Sequence, residues 1–146
     1  MKKILFAASE CVPFIKTGGL AVVCGALPKE FDKNEWDVRV VIPNYSCIPD
    51  KFRSKFEYVA HFYMSAGSYI TNKYVGILKY VMDGITYYFI DNQEYFTCDT
   101  PYGDIRYDIE KFVFFDKAVL SMLKQIDFRP DLIHCHDWET GLIPVY

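Results

Sequence analysis

Residues Ile4-Leu5-Phe6-Ala7-Ala8 are apolar without alternation. A strand with no polar face has to be covered on both sides, which is the condition of a parallel sheet flanked by helices. From Leu20 the period changes: Leu20, Val23, Cys24, Leu27 and Phe31 recur at helical spacing. Pro28 interrupts that stripe and predicts a kink or a loosened turn near the helix end. Asp37 to Pro43 then reads as a second short strand closed by proline. Strand, helix and strand in so few residues call for a right-handed crossover and a parallel sheet.

The middle of the chain has a different character. Phe56 to Tyr63 and Tyr74 to Val81 are rich in strand formers, and Asp83-Gly84 separates Val81-Met82 from Ile85 to Ile90, a hairpin signal. An antiparallel, tyrosine-rich insertion attached to the parallel core is expected. Glu94 to Gly103 reads as a loop, with turn chemistry at Thr100-Pro101-Tyr102-Gly103. A helix is expected from about Asp108 to Gln125, with Phe112, Phe115, Val119, Met122 and Leu123 on one face. Asp131 to Cys135 reads as another buried strand, and Asp137 as the N-cap of a helix starting at Trp138. The expected class is α/β: a Rossmann-like parallel sheet flanked by helices, with an antiparallel hairpin insertion. A chain that stops at Tyr146, inside that last helix, reads as a piece of a longer protein.

Composition narrows the function classes. At 146 residues, with 51% apolar and 24% charged side chains, the chain fits one soluble globular domain. A net charge of −3 supplies no basic field, so neither nucleic acid nor an anionic membrane is expected as a partner. No apolar segment is long enough to span a bilayer. Met1-Lys2-Lys3 before an apolar run has the opening of a signal peptide, but Ser9-Glu10 ends that run early and favours a buried first strand. Five scattered cysteines without a C-x-x-C pair read as free thiols of a reducing cytoplasm.

Two segments have residues suited to chemistry. Lys16-Thr17-Gly18-Gly19 lies between the first strand and the first helix. Glycines let backbone N–H groups approach an anion, the helix N-terminus adds partial positive charge, and Lys16 adds a full one. The string reads either as a cradle for a pyrophosphate or as an ordinary turn with a solvated lysine. It matches neither the P-loop nor G-x-G-x-x-G, which disfavours a hydride-transferring Rossmann enzyme. The second segment is His134-Cys135-His136-Asp137-Trp138, at the carboxyl end of an expected strand, where open α/β sheets bind ligands. Consecutive residues on one strand cannot converge on one tetrahedral ion, so no zinc site is expected. His134 reads as a core histidine and His136, at the mouth, as a site residue. The tyrosines read as sheet packing in preference to a glucan platform. Among Glu57, Asp83, Asp91, Glu94, Asp104 and Asp108 no acid–base pair stands out.

With both segments in view, the chain resembles the N-terminal domain of bacterial glycogen synthases and plant starch synthases. The resemblance rests on Lys3 to Glu10, Pro13-Phe14, Lys16 to Ala21, Gly25-Ala26-Leu27-Pro28-Lys29, Val38 to Pro43, Phe112 to Phe115, and Pro130 to Gly141. It is weakest from about Ser54 to Gln93. The resemblance implies a GT-B glycosyltransferase that moves glucose from ADP-glucose to the non-reducing end of an α-1,4-glucan, with retention and with no metal or other cofactor. It implies that Lys16, Thr17, Gly18 and Gly19 bind the donor, Lys16 meeting its diphosphate. It also implies that His136 meets the transferred glucose as the catalytic residue. Two departures stand out. Val22 occupies the place of the family's aspartate, with Cys24 where an aliphatic residue is usual, and the family's C-terminal domain, with most of the donor site, is missing. The chain alone is therefore expected to be inactive. A non-catalytic glucan-binding or regulatory module, and a GT-B enzyme using another sugar nucleotide, remain the alternatives. The sequence says nothing about oligomeric state.

Overall fold

The first apolar run forms β1, Lys2–Ala7, and it lies in the interior of a six-stranded sheet. Ile4, Leu5, Phe6 and Ala7 are all buried, as a strand covered on both faces requires. All 146 residues are described by the structure, a computed structural model. The chain continues through α1 (Gly19–Ala26), β2 (Trp36–Pro43), α2 (Asp50–Arg53), β3 (Glu57–Ala66) and β4 (Ile70–Met82). It ends with β5 (Ile85–Asp91), α3 (Gln93–Phe96), α4 (Ile105–Gln125) and β6 (Leu132–Cys135). The strand order is β3-β4-β5-β2-β1-β6. β5, β2, β1 and β6 run parallel, while β3 and β4 add antiparallel strands at one edge.

Pro28 is accommodated without a kink. α1 stops at Ala26, and Leu27–Glu30 form a 3-10 turn with the proline in its first turn, where a missing N–H costs nothing. Asp83 (φ 55°) and Gly84 (φ 73°) both occupy the left-handed region, as the hairpin between β4 and β5 demands. The antiparallel segment is continuous with the core and not an appendage to it, because β5 pairs in parallel with β2 from Arg39 and Thr86 to Pro43 and Ile90.

Four expectations need correction. The stretch from Glu94 to Gly103 is not all loop: Asn92 caps a short helix by accepting from the Tyr95 N–H at 3.1 Å, so α3 forms within it. α4 begins at Ile105, ahead of Asp108, because Asp104 caps the Arg106 N–H. After Asp137 no α-helix follows; Trp138–Thr140 make a single 3-10 turn, although Asp137 does accept from the Trp138 N–H at 2.7 Å. β6, expected to be buried, is an edge strand with Leu132 half exposed.

The aromatic excess is largely core. Phe14, on the loop after β1, packs against Tyr87 at 5.0 Å, Phe89 at 5.1 Å and Phe52 at 5.3 Å between ring centroids. These edge-to-face contacts pin that loop onto the sheet from beneath.

Candidate active site

β1 pairs with β2 on one side and with β6 on the other, so the direction of strand succession reverses at β1. In an open α/β sheet the crevice forms at such a reversal, outside the carboxyl ends of the strands. Here the loops bordering it are Ala8 to Gly18, after β1, and His136 to Gly141, after β6. Both sequence-identified segments therefore follow strands that pair with each other at this reversal.

In the first loop the fixed and free groups are clearly separated. Glu10 is buried, and its Oε2 accepts from the Thr17 N–H at 2.8 Å and from the Thr17 hydroxyl at 2.5 Å. Thr17 thus has both of its donors turned toward the protein and engaged. Lys16, lying between anchored Phe14 and clamped Thr17, is exposed, and none of the ion pairs of the chain involves it. Gly18 and Gly19 lead directly into α1. Neither has a positive φ, and apart from the adjacent residues and the helix's own backbone no atom lies within 4 Å of the position a Cβ would take on either. Nothing within the domain therefore requires glycine at these two positions; the bare backbone faces open space. Gly18, as N-cap, has no side chain to cap α1, and no acidic residue stands in the first turn. The leading N–H groups of the helix are left for water or for an anion.

Gly25 provides the contrast. A Cβ there would stand 2.2 Å from Val12 Cγ2 and 2.8 Å from Val12 O, so this glycine is demanded by the packing of the loop on α1. Val22 and Val23 project from the exposed side of the same helix, 45% and 48% exposed.

In the second loop, His136 is buried to 8% exposure, and its Nε2 lies 2.7 Å from His134 Nδ1. Its ring stacks on Phe6, with centroids 5.8 Å apart. Burial, and then the neighbouring His134, hold its pKa below the ordinary imidazole value, which favours the neutral ring. His134 is partly buried against the same phenylalanine. Asp137 adopts φ 63° and ψ −174°, a conformation that side chains rarely take, at the strand end where the backbone turns outward. Thr140 donates its hydroxyl hydrogen to the His136 carbonyl at 2.8 Å and so fixes the turn. No group of three His, Cys, Asp or Glu side chains is arranged to hold a metal ion.

Several participants in this mouth were not apparent in the sequence. The Tyr45 hydroxyl donates to the Ser9 carbonyl at 2.8 Å, and the Tyr102 hydroxyl lies 2.6 Å from Ser9 Oγ, tying the loops after β2 and α3 to the loop after β1. Glu139 is buried, and its Oε2 has no hydrogen-bond partner. Burial, followed by the charges of Asp137 and Glu10, raises its pKa. The one available signal for Glu139 was its position three residues after His136, in the turn that follows β6.

The fold and this mouth define a class: an α/β domain presenting a lysine, bare backbone and an uncapped helix N-terminus at a sheet switch point. Comparison with known proteins gives the family. The profile described as starch synthase catalytic domain matches residues 3–146, and the chain belongs to that family. It is 58% identical over 146 residues to the glycogen synthase of Lachnoclostridium phytofermentans and 57% identical to that of Lachnospira eligens. All of the chain is covered in both, and it spans 30% of the length of each. Among solved structures it is similar to the catalytic domain of starch synthase IV from Arabidopsis thaliana bound to ADP and acarbose, with a TM-score of 0.82 and 26% identity. That match covers 97% of this chain and 29% of the other.

Proposed function

We propose that this chain is the N-terminal, acceptor-side domain of a glycogen synthase that transfers glucose from ADP-glucose to the non-reducing end of an α-1,4-glucan. The observation that carries the reading is the pair of glycines without an internal reason to be glycine, set between exposed Lys16 and the uncapped start of α1. Such a loop suits the diphosphate of a sugar nucleotide: peptide N–H groups and the Lys16 ammonium meet charge that grows as the diphosphate departs. Lys16, Gly18 and Gly19 make these contacts; Thr17 contributes by holding the loop. His136, neutral and nearly buried, meets a hydroxyl of the transferred glucose through the edge that His134 leaves free. A second domain closes the cleft and excludes water, so that glucosyl transfer outruns hydrolysis. This domain by itself is inactive, and the reaction takes no metal or other cofactor. The free cysteines suit a cytoplasmic setting.

Val22 favours a second reading, a glucan-binding module with a decayed donor site, because an exposed valine beside the loop cannot accept a hydrogen bond from a ligand. Turnover of ADP-glucose by the complete protein, as Val22 and as Val22→Asp, separates the two. Glucan elongation by the Val22 protein supports the synthase; a silent Val22 protein rescued by aspartate supports decay. Competition between ADP-glucose and UDP-glucose in the same assay tests the donor base.

A further inference from the structure

The loop that presents Lys16 is held by one buried carboxylate. Glu10 is 2% exposed, and one of its oxygens accepts both Thr17 hydrogen bonds, at 2.8 and 2.5 Å. A buried anion bonded in this way is strongly directional, because breaking either bond leaves charge without compensation. We propose that Glu10 is a positioning residue for the donor: through Thr17 it fixes the direction of the Lys16 side chain and of the Gly18–Gly19 amides, without touching the ligand itself. The inference rests on the donor-site reading given under Proposed function.

Three observations support it. Gly18 and Gly19 have no side chains within the domain to stiffen them, so the Thr17 anchor immediately before them is what limits their motion. Phe14 anchors the other flank through aromatic packing, which leaves Lys16 as the single long side chain displayed between two fixed points. The carboxylate also engages the Thr17 N–H, so that the amides left uncapped at the start of α1 follow directly after an anchored one. A glutamate in this role adds negative charge near a phosphate site, and its Oε2 is committed to the two Thr17 donors.

The test uses the complete protein as wild type, Glu10→Ala, Glu10→Gln, Thr17→Val and the Glu10→Ala/Thr17→Val pair. ADP affinity is read by calorimetry, donor and acceptor KM by turnover, and mobility of residues 16–20 by amide exchange. Glu10→Ala is expected to weaken ADP binding and raise the donor KM by about tenfold or more, with the acceptor KM moving less than about twofold. Glu10→Gln, whose amide oxygen still accepts from Thr17, recovers most of that loss. The double variant is no worse than Glu10→Ala, because the two residues act as one unit. The Thr17 amide, bonded to Glu10 in the wild type, exchanges faster in Glu10→Ala, while those of β1 do not. Wild-type ADP affinity and wild-type loop exchange in Glu10→Ala overturn the proposal. So does equal loss of donor and acceptor affinity with faster exchange throughout β1, the mark of general destabilisation. A wild-type protein that neither binds ADP nor turns over a sugar nucleotide removes the donor-site reading, and positioning of a donor falls with it; the exchange comparison then separately decides whether Glu10 holds the loop.

Discussion

Gly25, in the last turn of α1, lies so close to Val12 that a methyl group on it would overlap the valine Cγ2 at 2.2 Å and its carbonyl oxygen at 2.8 Å. The Val12 N–H in turn donates to the Ala21 carbonyl at 3.0 Å, so the loop after β1 runs along the helix it precedes. Gly25→Ala is expected to destabilise the protein by about 1–3 kcal/mol through overpacking. Chemical denaturation measures it. Val12→Ala in the same chain should restore only part of the loss, since the carbonyl contact involves backbone.

Phe14 makes a separate prediction about the same loop. Phe14→Ala removes a fully buried ring from an aromatic cluster and is expected to cost about 3–5 kcal/mol. Exposed Tyr69 gives the control: its replacement by alanine should change stability by less than about 0.5 kcal/mol in the same denaturation experiment.

Asp116 predicts a pH dependence. It is buried on α4; Oδ2 accepts from the Leu142 N–H at 3.0 Å, and Oδ1 has no partner. Burial, opposed by that N–H and reinforced by Glu139, pushes its pKa up to about 7. A carboxyl whose pKa is higher in the folded than in the unfolded state favours folding while protonated. Its contribution is therefore fully present below about pH 4 and is lost as pH rises toward 7. Asp116→Asn should flatten this part of the stability curve, gaining on the wild type at pH 8 relative to pH 4. Each tenfold difference in proton affinity between folded and unfolded chain is worth about 1.4 kcal/mol, so the gain reaches up to about 4 kcal/mol. Denaturation midpoints across that range test it.

His136 behaves in the opposite sense. Its pKa is lowered by burial and by His134, so the folded state resists the proton that the unfolded chain takes up near pH 6.5. Stability from this source is complete above that value and declines as pH falls below it. The ring resonances of His136 in a nuclear magnetic resonance titration should shift with a midpoint below 6.5, and His134→Ala should move that midpoint upward.

Local patterns were legible where one side chain or one period decides the outcome. The apolar run of β1 and Asp83-Gly84 each specify their structure from within a few residues, and both form, whereas the stripe from Leu20 is α-helical only to Ala26 and leaves Val23 exposed. Asp137 as a cap was legible for the same reason, but the length of what it caps was not: Trp138 packs edge-on to Phe112 at 5.5 Å, and a single 3-10 turn results. The Lys16–Gly19 segment was legible as a loop at a strand end. That the Thr17 donors face inward was not, because their partner Glu10 is brought to them by the folding of the intervening loop, pinned by Phe14. The division of labour between glycines was hidden too: Gly18, Gly19 and Gly25 look alike in sequence, and only their surroundings separate two open positions from one crowded one.

The most direct test of the account is the affinity of the complete protein for ADP, measured by calorimetry with Lys16 intact and with Lys16→Ala at matched ionic strength. Loss of one charge-assisted contact to the diphosphate predicts weakening by about tenfold or more, with the thermal midpoint of the unliganded protein unchanged because Lys16 is exposed and unpaired. Equal affinity in the two proteins would contradict the account, since the lysine would then point at nothing the nucleotide carries.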